Sequence, residues 1–493
     1  MTTTRYLIID KKDEVYLKIE ADADIRRELG EYFTFEVPGF KFMPQYRNRV
    51  WDGKIRLFSY ATGQIYAGLY PYILNWCKEN NVQVVDGTKI KDTNIDDKKI
   101  DQFIKALKIP KIEVRDYQKE AFVHSVKKNR CLLLSPTASG KSLIIYLIMI
   151  FNLLRLKESK QNKILIIVPT TSLVEQLFKD FKDYGYNSER NVHKIYQGHD
   201  KETNKRVVIT TWQSVYNMPK KWFSDFGTVI GDEAHLFKAV SLTKIMTKLI
   251  KCKYRIGLTG TLDGTKTHKL VLEGLFGTVN KVISTSELQE NKQLADLKIF
   301  CLILQHDKTA RHFLKDKSYQ EEMDYLVSNE KRNKYIRNLC LSLQGNSLCL
   351  FQYVEKHGEI LKGLIEEKAE NKKIFFVHGG VEADEREKVR EITEKSDNAI
   401  IIASFGTFST GINIRNLHNI VFASPSKSRI RNLQSIGRGL RLKDNDSSAT
   451  LYDIADDISY NEKENYTLAH FRERINIYNS EDFNYEIHNV ELK

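Results

Sequence analysis

No zinc cluster and no disulfide framework can be drawn on this sequence. Its six cysteines (Cys77, Cys131, Cys252, Cys301, Cys340 and Cys349) include no pair at C-x-x-C spacing. Isolated thiols suit a reducing, cytosolic compartment. The opening stretch "MTTTRYLIIDKKDEVYLKIE" does not read as a secretory leader, since it carries charge where a signal peptide would need an apolar run. Nor is there a hydrophobic run for a bilayer. The most apolar segment, "LIIYLIMIFNLL" (Leu143 to Leu154), falls short of the roughly 20 residues a spanning helix needs. It reads instead as a helix buried against a sheet. Internal repeats and low-complexity tracts are also lacking. One further absence is local. "LLLSPTASGKSL" (Leu132 to Leu143) is a phosphate-binding loop except that Ser135 stands where the first glycine belongs.

What is present points to an intracellular globular protein of 493 residues, long enough for two or three domains. The composition, 41% hydrophobic and 29% charged, is ordinary for that class. Lysine and arginine exceed the acids to a net +13. Such an excess suits a polyanionic partner, most often nucleic acid, although a merely soluble basic surface fits the same number.

Residues 1–90 mix short alternating runs ("YLIID", "VYLKIE", "KIRLFSY") with turns at "VPGF" and "WDGK", the texture of a small α+β module. A polar Lys/Asp-rich connector with one short helix follows over 86–113. From about 114, β-rich runs ("CLLL", "KILIIVP", "RVVIT", "GTVIGDE", "YRIGLTG") alternate with helix-length segments. That alternation predicts a parallel sheet covered on both faces. After a charged helical bridge (about 290–345) the texture returns in "SLCLFQY", "KIFFVHG", "NAIIASF" and "NIVFASP". The expected division is a module over 1–90, one α/β lobe over 91–290, and a second over 291–493 with a C-terminal helical extension.

"RCLLLSPTASGKS" puts Gly140, Lys141 and Ser142 between an apolar strand and an apolar helix. Backbone N–H groups and the helix dipole can hold phosphate there. Lys141 would reach the β/γ-phosphates of ATP, and the Ser142 hydroxyl would ligate Mg²⁺. Thr137 and Ser139 lie in the same loop. Because the first glycine serves a tight turn, Ser135 loosens the motif without removing its chemistry. "TVIGDEAH" ends a hydrophobic strand in two carboxylates. Asp232 would hold Mg²⁺ and Glu233 would orient and deprotonate the attacking water; a solvated acidic turn is the plainer alternative. In "QSIGRGLR", Arg438 and Arg441 share a face if the segment is helical. They are either an ordinary basic face or cations aimed at the γ-phosphate.

In order, "RDYQ", "SPTASGKS", "VPTTSLVEQ", "TTWQS", "DEAH", "LTGT", "HGG", "ASFGTFSTGINI" and "QSIGRGLR" resemble the motif series of superfamily 2 helicases, over roughly residues 114–445. The "TTWQS" and "QSIGRGLR" forms are closer to the DNA-directed XPB-like branch. With its short N-terminal module the chain resembles the UvsW helicase family of tailed bacteriophages. That resemblance implies an α/β fold of two tandem RecA-like lobes. It also implies an ATPase coupled to nucleic-acid unwinding, with ATP and Mg²⁺ as cofactors, in the host cytoplasm.

Position by position, it makes Arg115 and Gln118 adenine-sensing residues. His235, Thr259 and Thr261 become the link between nucleotide state and strand binding. Gly411, Gln434, Arg438 and Arg441 become second-lobe residues facing ATP. Strand contacts would be Thr170, Thr171, Gly198, Thr211, Gln213 and Ser214 in the first lobe, and Gly379, Ser404 and Thr410 in the second; a helix cap or loop hydroxyl is the bland reading of each threonine. The implied substrates are branched or forked DNA and RNA–DNA hybrids, in recombination, repair and replication. Single-strand-binding or recombination proteins are the implied partners, with no membrane involved.

"KFMPQYRNRVWDGKIRLF" interleaves Lys41, Arg47, Arg49, Lys54 and Arg56 with Phe42, Tyr46 and Trp51 against the single acid Asp52. Its cations suit a nucleic-acid grip, with Phe42 and Trp51 read as core of the small domain. Two other functions fit the same residues. One is a double-strand translocase that separates no strands; the other is an annealing or binding protein with a vestigial ATPase.

Overall fold

The computed structural model describes residues 5–110, 112–136, 139–238, 240–262, 265–291, 296–407, 414, 416–425, 448–461, 463–481 and 483–492. The chain packs as two compact units, residues 1–135 with 139–282, and 283–493 with 136–138.

In the first unit, β1 (Tyr6–Lys11) and β2 (Tyr16–Ala21) alternate inward and outward residues, as a sheet with one wet face must. Leu7, Ile9, Leu17 and Ile19 pack under helices α1 (Ala23–Tyr32) and α2 (Tyr70–Glu79), which contribute Ile25, Leu29, Ile73 and Trp76. The mixed sheet runs β5 (Phe58–Ser59), β6 (Gln64–Tyr66), β2, β1, β7 (Gln83–Asp86), and only β1–β7 is parallel. A separate ribbon, β3 (Thr34–Glu36) with β4 (Lys54–Arg56), flanks the basic segment.

The expected connector helix, α3 (Asp97–Leu107), is more than a linker. Ile100 is fully buried, and Phe103 stacks on Phe122 of α4 (Asp116–Lys128) at 5.6 Å.

Beyond it comes a seven-stranded, all-parallel sheet in the order β10–β11–β9–β12–β13–β8–β14. Its strands are β8 (Arg130–Leu134), β9 (Lys163–Val168), β10 (Val192–Ile195), β11 (Val207–Thr211), β12 (Phe226–Gly231), β13 (Tyr254–Thr259) and β14 (Val279–Lys281). Every residue of β12 and β13 is buried. Both strands have a covered face on each side, which is why they read as mainly apolar runs, with Arg255 the one charged residue, itself buried. Helix α5 (Lys141–Arg155), the apolar segment, and α6 (Thr171–Asp183) pack on one of those faces; α7 (Lys266–Leu275) packs on the other.

The second unit repeats the plan with the order β17–β18–β16–β19–β20–β15–β21, again all parallel. The strands are β15 (Asp296–Gln305), β16 (Ser347–Phe351), β17 (Lys373–Val377), β18 (Ala399–Ser404), β19 (Asn419–Phe422), β20 (Ser448–Asp457) and β21 (Tyr485–Glu491). Two elements differ from expectation. The charged bridge begins with β15, a ten-residue strand of the sheet lying between β20 and β21. The C-terminal extension is helical only through α9 (Tyr466–Ser480); β21 then pairs with β15.

Two buried ion pairs brace this sheet. Arg332, on α8 (Glu330–Ser342), donates from Nε to both carboxylate oxygens of Asp456 at 2.9 and 3.0 Å. Its Nη2 donates to the Ala423 carbonyl at 2.9 Å. Arg474 makes the equivalent pair with Asp453.

Candidate nucleotide and nucleic-acid sites

A parallel sheet brings all its strand C-termini to one edge, so residues that follow different strands become neighbours there. In the first unit β12, β13 and β8 are adjacent. They carry the carboxylates, the Thr259–Thr261 turn and the phosphate loop.

The loop itself explains its missing glycine. Ser135 is fully buried, and its Oγ lies 2.6 Å from Ser139 Oγ. Its N–H donates to the Thr259 carbonyl at 2.8 Å, and its backbone is not left-handed. No glycine is required at this position, and the two serine hydroxyls clasp the loop across its mouth. Gly140 is different. It caps α5 at φ +78, and a Cβ there would meet Gln118 Nε2 at 2.3 Å. The first N–H groups of α5 receive no side-chain cap, which leaves donors for an anion. Lys141 Nζ donates to the Ser135 carbonyl at 3.3 Å. Ser142 Oγ lies 2.9 Å from the Tyr184 hydroxyl. Thr137 lies outside the described residues.

Asp232 and Glu233 follow the fully buried β12. Asp232 is 7% exposed and its Oδ1 accepts from Glu233 N at 3.0 Å. Burial and the Glu233 carboxylate push the Asp232 carboxyl well above its ordinary range, against the pull of Lys141. Glu233 adopts φ +50, a left-handed conformation that costs a non-glycine residue about 1–2 kcal/mol and marks the turn as functionally constrained. His235 Nδ1 sits 3.0 Å from Thr259 Oγ1 and 3.3 Å from Glu233 Oε2. Thr259 Oγ1 in turn donates to the Thr261 carbonyl at 2.9 Å. The three proposed coupling residues thus form one hydrogen-bonded cluster around the carboxylate turn.

This donor set fits Mg²⁺. Hard oxygens come from Asp232 and Ser142, and the carboxylate pair is short of positive charge. Among the described residues no cluster of three His, Cys, Asp or Glu side chains could hold a metal.

Gln118, expected to read adenine, is 3% exposed with both ends of its amide engaged. Oε1 accepts from Arg115 N at 3.1 Å, and Nε2 donates to the Ser139 carbonyl at 2.9 Å. Tyr117 joins in, accepting from Arg115 Nη1 and donating to the same carbonyl. A base edge at Gln118 would exchange bonds that now tie it to the phosphate loop.

Three further strands on this edge, β10, β11 and β9, carry the candidate strand contacts. Gly198, Thr211 and Thr170 follow them in adjacent positions, spanning roughly 10 Å at about 4.8 Å per strand. Thr170 caps α6, accepting from Leu173 N at 3.4 Å, and Thr171 opens that helix. Thr211 Oγ1 lies 2.9 Å from Ser214 Oγ, and Gln213 is exposed. Gly198, at φ +86, has nothing within 4 Å of a would-be Cβ. In the second unit Gly379 is exposed and Ser404 Oγ donates to Thr407 Oγ1 at 2.8 Å. Thr410, Gly411, Gln434, Arg438 and Arg441 lie outside the described residues.

The N-terminal basic segment forms an open recess of about 630 Å³ lined by Lys41, Tyr46, Arg47, Arg49 and Trp51, with Lys54 exposed beside it on β4. Asp52 is taken by Arg56, which holds its carboxyl down at about 2. Among the described residues, no carboxylate lies within ion-pair distance of Arg47, Arg49 or Lys54. The core reading of the aromatics is corrected here. Phe42 is 76% exposed, and Trp51 is only half-buried, with Nε1 donating to the Lys54 carbonyl at 2.9 Å. The turn instead rests on Gly53, at φ +79, whose hydrogen faces the Phe40 ring where a Cβ would come within 2.1 Å.

Two residues at the nucleotide edge gave no signal in the sequence. Tyr184 touches Ser142 from the far end of α6. His268, 3% exposed on α7, places Nε2 at 3.1 Å from the His235 carbonyl. Neither falls in a motif, and only the fold brings them there.

The chain matches the families described as "DNA helicase UvsW, N-terminal" over residues 8–86, "Type III restriction enzyme, res subunit" over 111–264 and "Helicase conserved C-terminal domain" over 330–443. It is 35% identical to the ATP-dependent DNA helicase uvsW of Enterobacteria phage T4, across 97% of this chain and 98% of that protein. The crystal structure of T4 UvsW aligns at TM-score 0.52 and 32% identity, over 99% of this chain and 100% of the other. The DNA 3'-5' translocase XPB2 of Sulfurisphaera tokodaii is 23% identical, over 79% of this chain and 94% of its own length.

Proposed function

Since the chain belongs to the UvsW family of ATP-dependent DNA helicases, we propose that it remodels branched DNA and RNA–DNA hybrids: fork regression, branch migration and R-loop unwinding. The setting would be phage recombination, repair and replication in the host cytoplasm, alongside single-strand-binding or recombination proteins. Among the described residues no helix is long and apolar enough to cross a membrane.

One observation supports this reading above the others. A single sheet edge carries the phosphate loop and carboxylates on three adjacent strands, β12, β13 and β8, and the candidate strand contacts on the three beside them, β10, β11 and β9. Hydrolysis at one half of such an edge can be felt at the other, which a motor requires and a passive binder does not.

Bound Mg·ATP supplies the reactive phosphoanhydride. Lys141 and the N–H groups of α5 would grip its phosphates, with Ser139 and Gly140 shaping the loop and Thr137 assigned to it by sequence. Ser142 and Asp232 hold the cation, and Glu233 orients the attacking water and takes its proton. Arg115 and Gln118 sense the base. The family pattern assigns Gly411, Gln434, Arg438 and Arg441 to ATP turnover as well, which would make turnover depend on lobe closure. His235, Thr259 and Thr261 carry the change to Thr170, Thr171, Gly198, Thr211, Gln213 and Ser214, and across the duplex to Gly379, Ser404 and Thr410. The module over 1–90, with Arg47, Arg49 and Lys54 exposed on its surface, holds the branch while lobes 91–290 and 291–493 step.

The test is ATP turnover measured against single-stranded, duplex, forked, four-way and R-loop nucleic acids at fixed salt. Forked, four-way and R-loop substrates are expected to stimulate more than plain duplex. A protein that none of them stimulates is not this motor.

A further inference from the structure

We propose that helix α7 is a strut joining the N-terminal module to the carboxylate turn, and that Tyr72 and His268 are the positioning residues at its two ends. Through them the module's hold on nucleic acid would set the rate of ATP turnover. This rests on the helicase reading.

At one end, Tyr72 of the module donates its hydroxyl to Glu273 Oε2 at 2.7 Å. Glu273 is only 2% exposed, and its other oxygen accepts from Val279 N at 2.9 Å, so the carboxylate is fixed from both sides. The backbones meet with no slack. A Cβ on Gly68 would come within 1.9 Å of the Glu273 carbonyl, and one on Gly274 within 3.0 Å of the Tyr66 ring. Leu270 of α7 belongs to the module's own core, while Leu272 and Leu275 belong to the lobe's.

At the other end, His268 Nε2 donates to the His235 carbonyl at 3.1 Å. That is the same His235 that meets Glu233 and Thr259. His268 and Glu273 stand about 7.5 Å apart along the helix axis at 1.5 Å per residue, a distance a short rigid helix spans without bending.

A second anchor keeps the module from pivoting about α7 alone. Glu14 N donates to the Ile250 carbonyl at 3.0 Å. The Glu14 carbonyl accepts from Arg130 Nη2 at 2.6 Å and from Arg255 Nη1 at 3.2 Å. A module held at two points cannot shift on its substrate without loading the helix that ends at His235. The specificity of turnover for branched substrates therefore passes through α7.

The experiment uses the full chain carrying Tyr72→Phe, which removes one hydroxyl and keeps the ring. Basal ATP turnover, fork-stimulated turnover, fork affinity by anisotropy with a fluorescent fork, and melting temperature are all measured. The expected result is unchanged basal rate and fork affinity, a melting temperature lowered slightly by the one lost hydrogen bond, and fork stimulation lowered by about 5-fold or more, the lower end of a usual coupling between sites. His268→Ala should lose stimulation likewise. His268→Gln, which can still offer an N–H to the His235 carbonyl, should recover much of it. Full stimulation in both Tyr72→Phe and His268→Ala would overturn the proposal. So would a loss of stimulation that tracks lost fork binding or melting, since Tyr72 would then be merely structural. A wild-type protein that no nucleic acid stimulates would instead overturn the helicase reading beneath it.

Discussion

Lys141→Ala should abolish measurable ATP turnover while leaving nucleic-acid affinity near that of the wild type. Lys141 is the first residue of α5, and its ammonium already seeks the loop, donating to the Ser135 carbonyl. With nucleotide bound, that cation would offset charge growing on the transferred phosphoryl. Removing one such preorganised group costs about 10²–10³-fold in kcat. Because hydrolysis here is positioning and electrostatics with little covalent chemistry, few other groups can substitute. The candidate strand contacts follow β9, β10 and β11, away from the loop after β8, so binding should survive. Equal loss of both would mean that the loop stabilises the whole lobe and does not merely serve the reaction. Full biological activity without turnover would favour the vestigial-ATPase alternative.

Arg332→Ala should be the most destabilising single change outside the sites. Arg332 and Asp456 are both fully excluded from solvent, and the arginine also holds the Ala423 carbonyl at the end of β19. Taking away one partner strands a buried charge, a loss of about 3–5 kcal/mol. For a unit of this size that lowers the melting temperature by about 2–4 °C per kcal/mol. Replacing both partners, with Arg332→Met and Asp456→Leu together, should recover most of the loss, since a buried pair is often close to neutral against apolar groups of like volume.

The pair also has a pH signature. Burial works against the Asp456 carboxylate, but Arg332 and His306 outweigh it and hold the carboxyl at about 2, below the unfolded value of about 3.9. The stabilisation is therefore complete above pH of about 4 and is lost as pH falls toward about 2. Calorimetric melts across that window should show the decline in the wild type, and Arg332→Ala should not. An Arg332→Ala protein that melts with the wild type would show that water reaches the pair.

Which elements the sequence discloses follows from what buries them. Strands such as β12 and β13 lie between two helical layers, so every residue is buried, most are apolar, and the run stands out. The motif edges are legible for the same reason, since each begins where such a run stops. Strand β15 was hidden because "DLKIFCLILQ" opens a highly charged stretch and its partners β20 and β21 lie far along the chain. Strand β21 is mostly exposed, "YEIHNVE", so it has no apolar run to show.

The phosphate loop was legible down to its lysine, yet the reason its first glycine is dispensable was not. That depends on Ser139 standing opposite Ser135. Interleaved arginines and aromatics announce a surface but not which rings it exposes, and Phe42 turned outward. Tyr184 and His268 reach the nucleotide edge only through helix packing, which no spacing rule encodes.

The central measurement is release of a labelled strand from forked DNA with Mg·ATP, run beside displacement of a triplex-forming strand from plain duplex. ATP-dependent strand release from the fork, absent with Lys141→Ala, is the expected result. Triplex displacement with every fork left intact would contradict it and identify a duplex translocase that separates no strands.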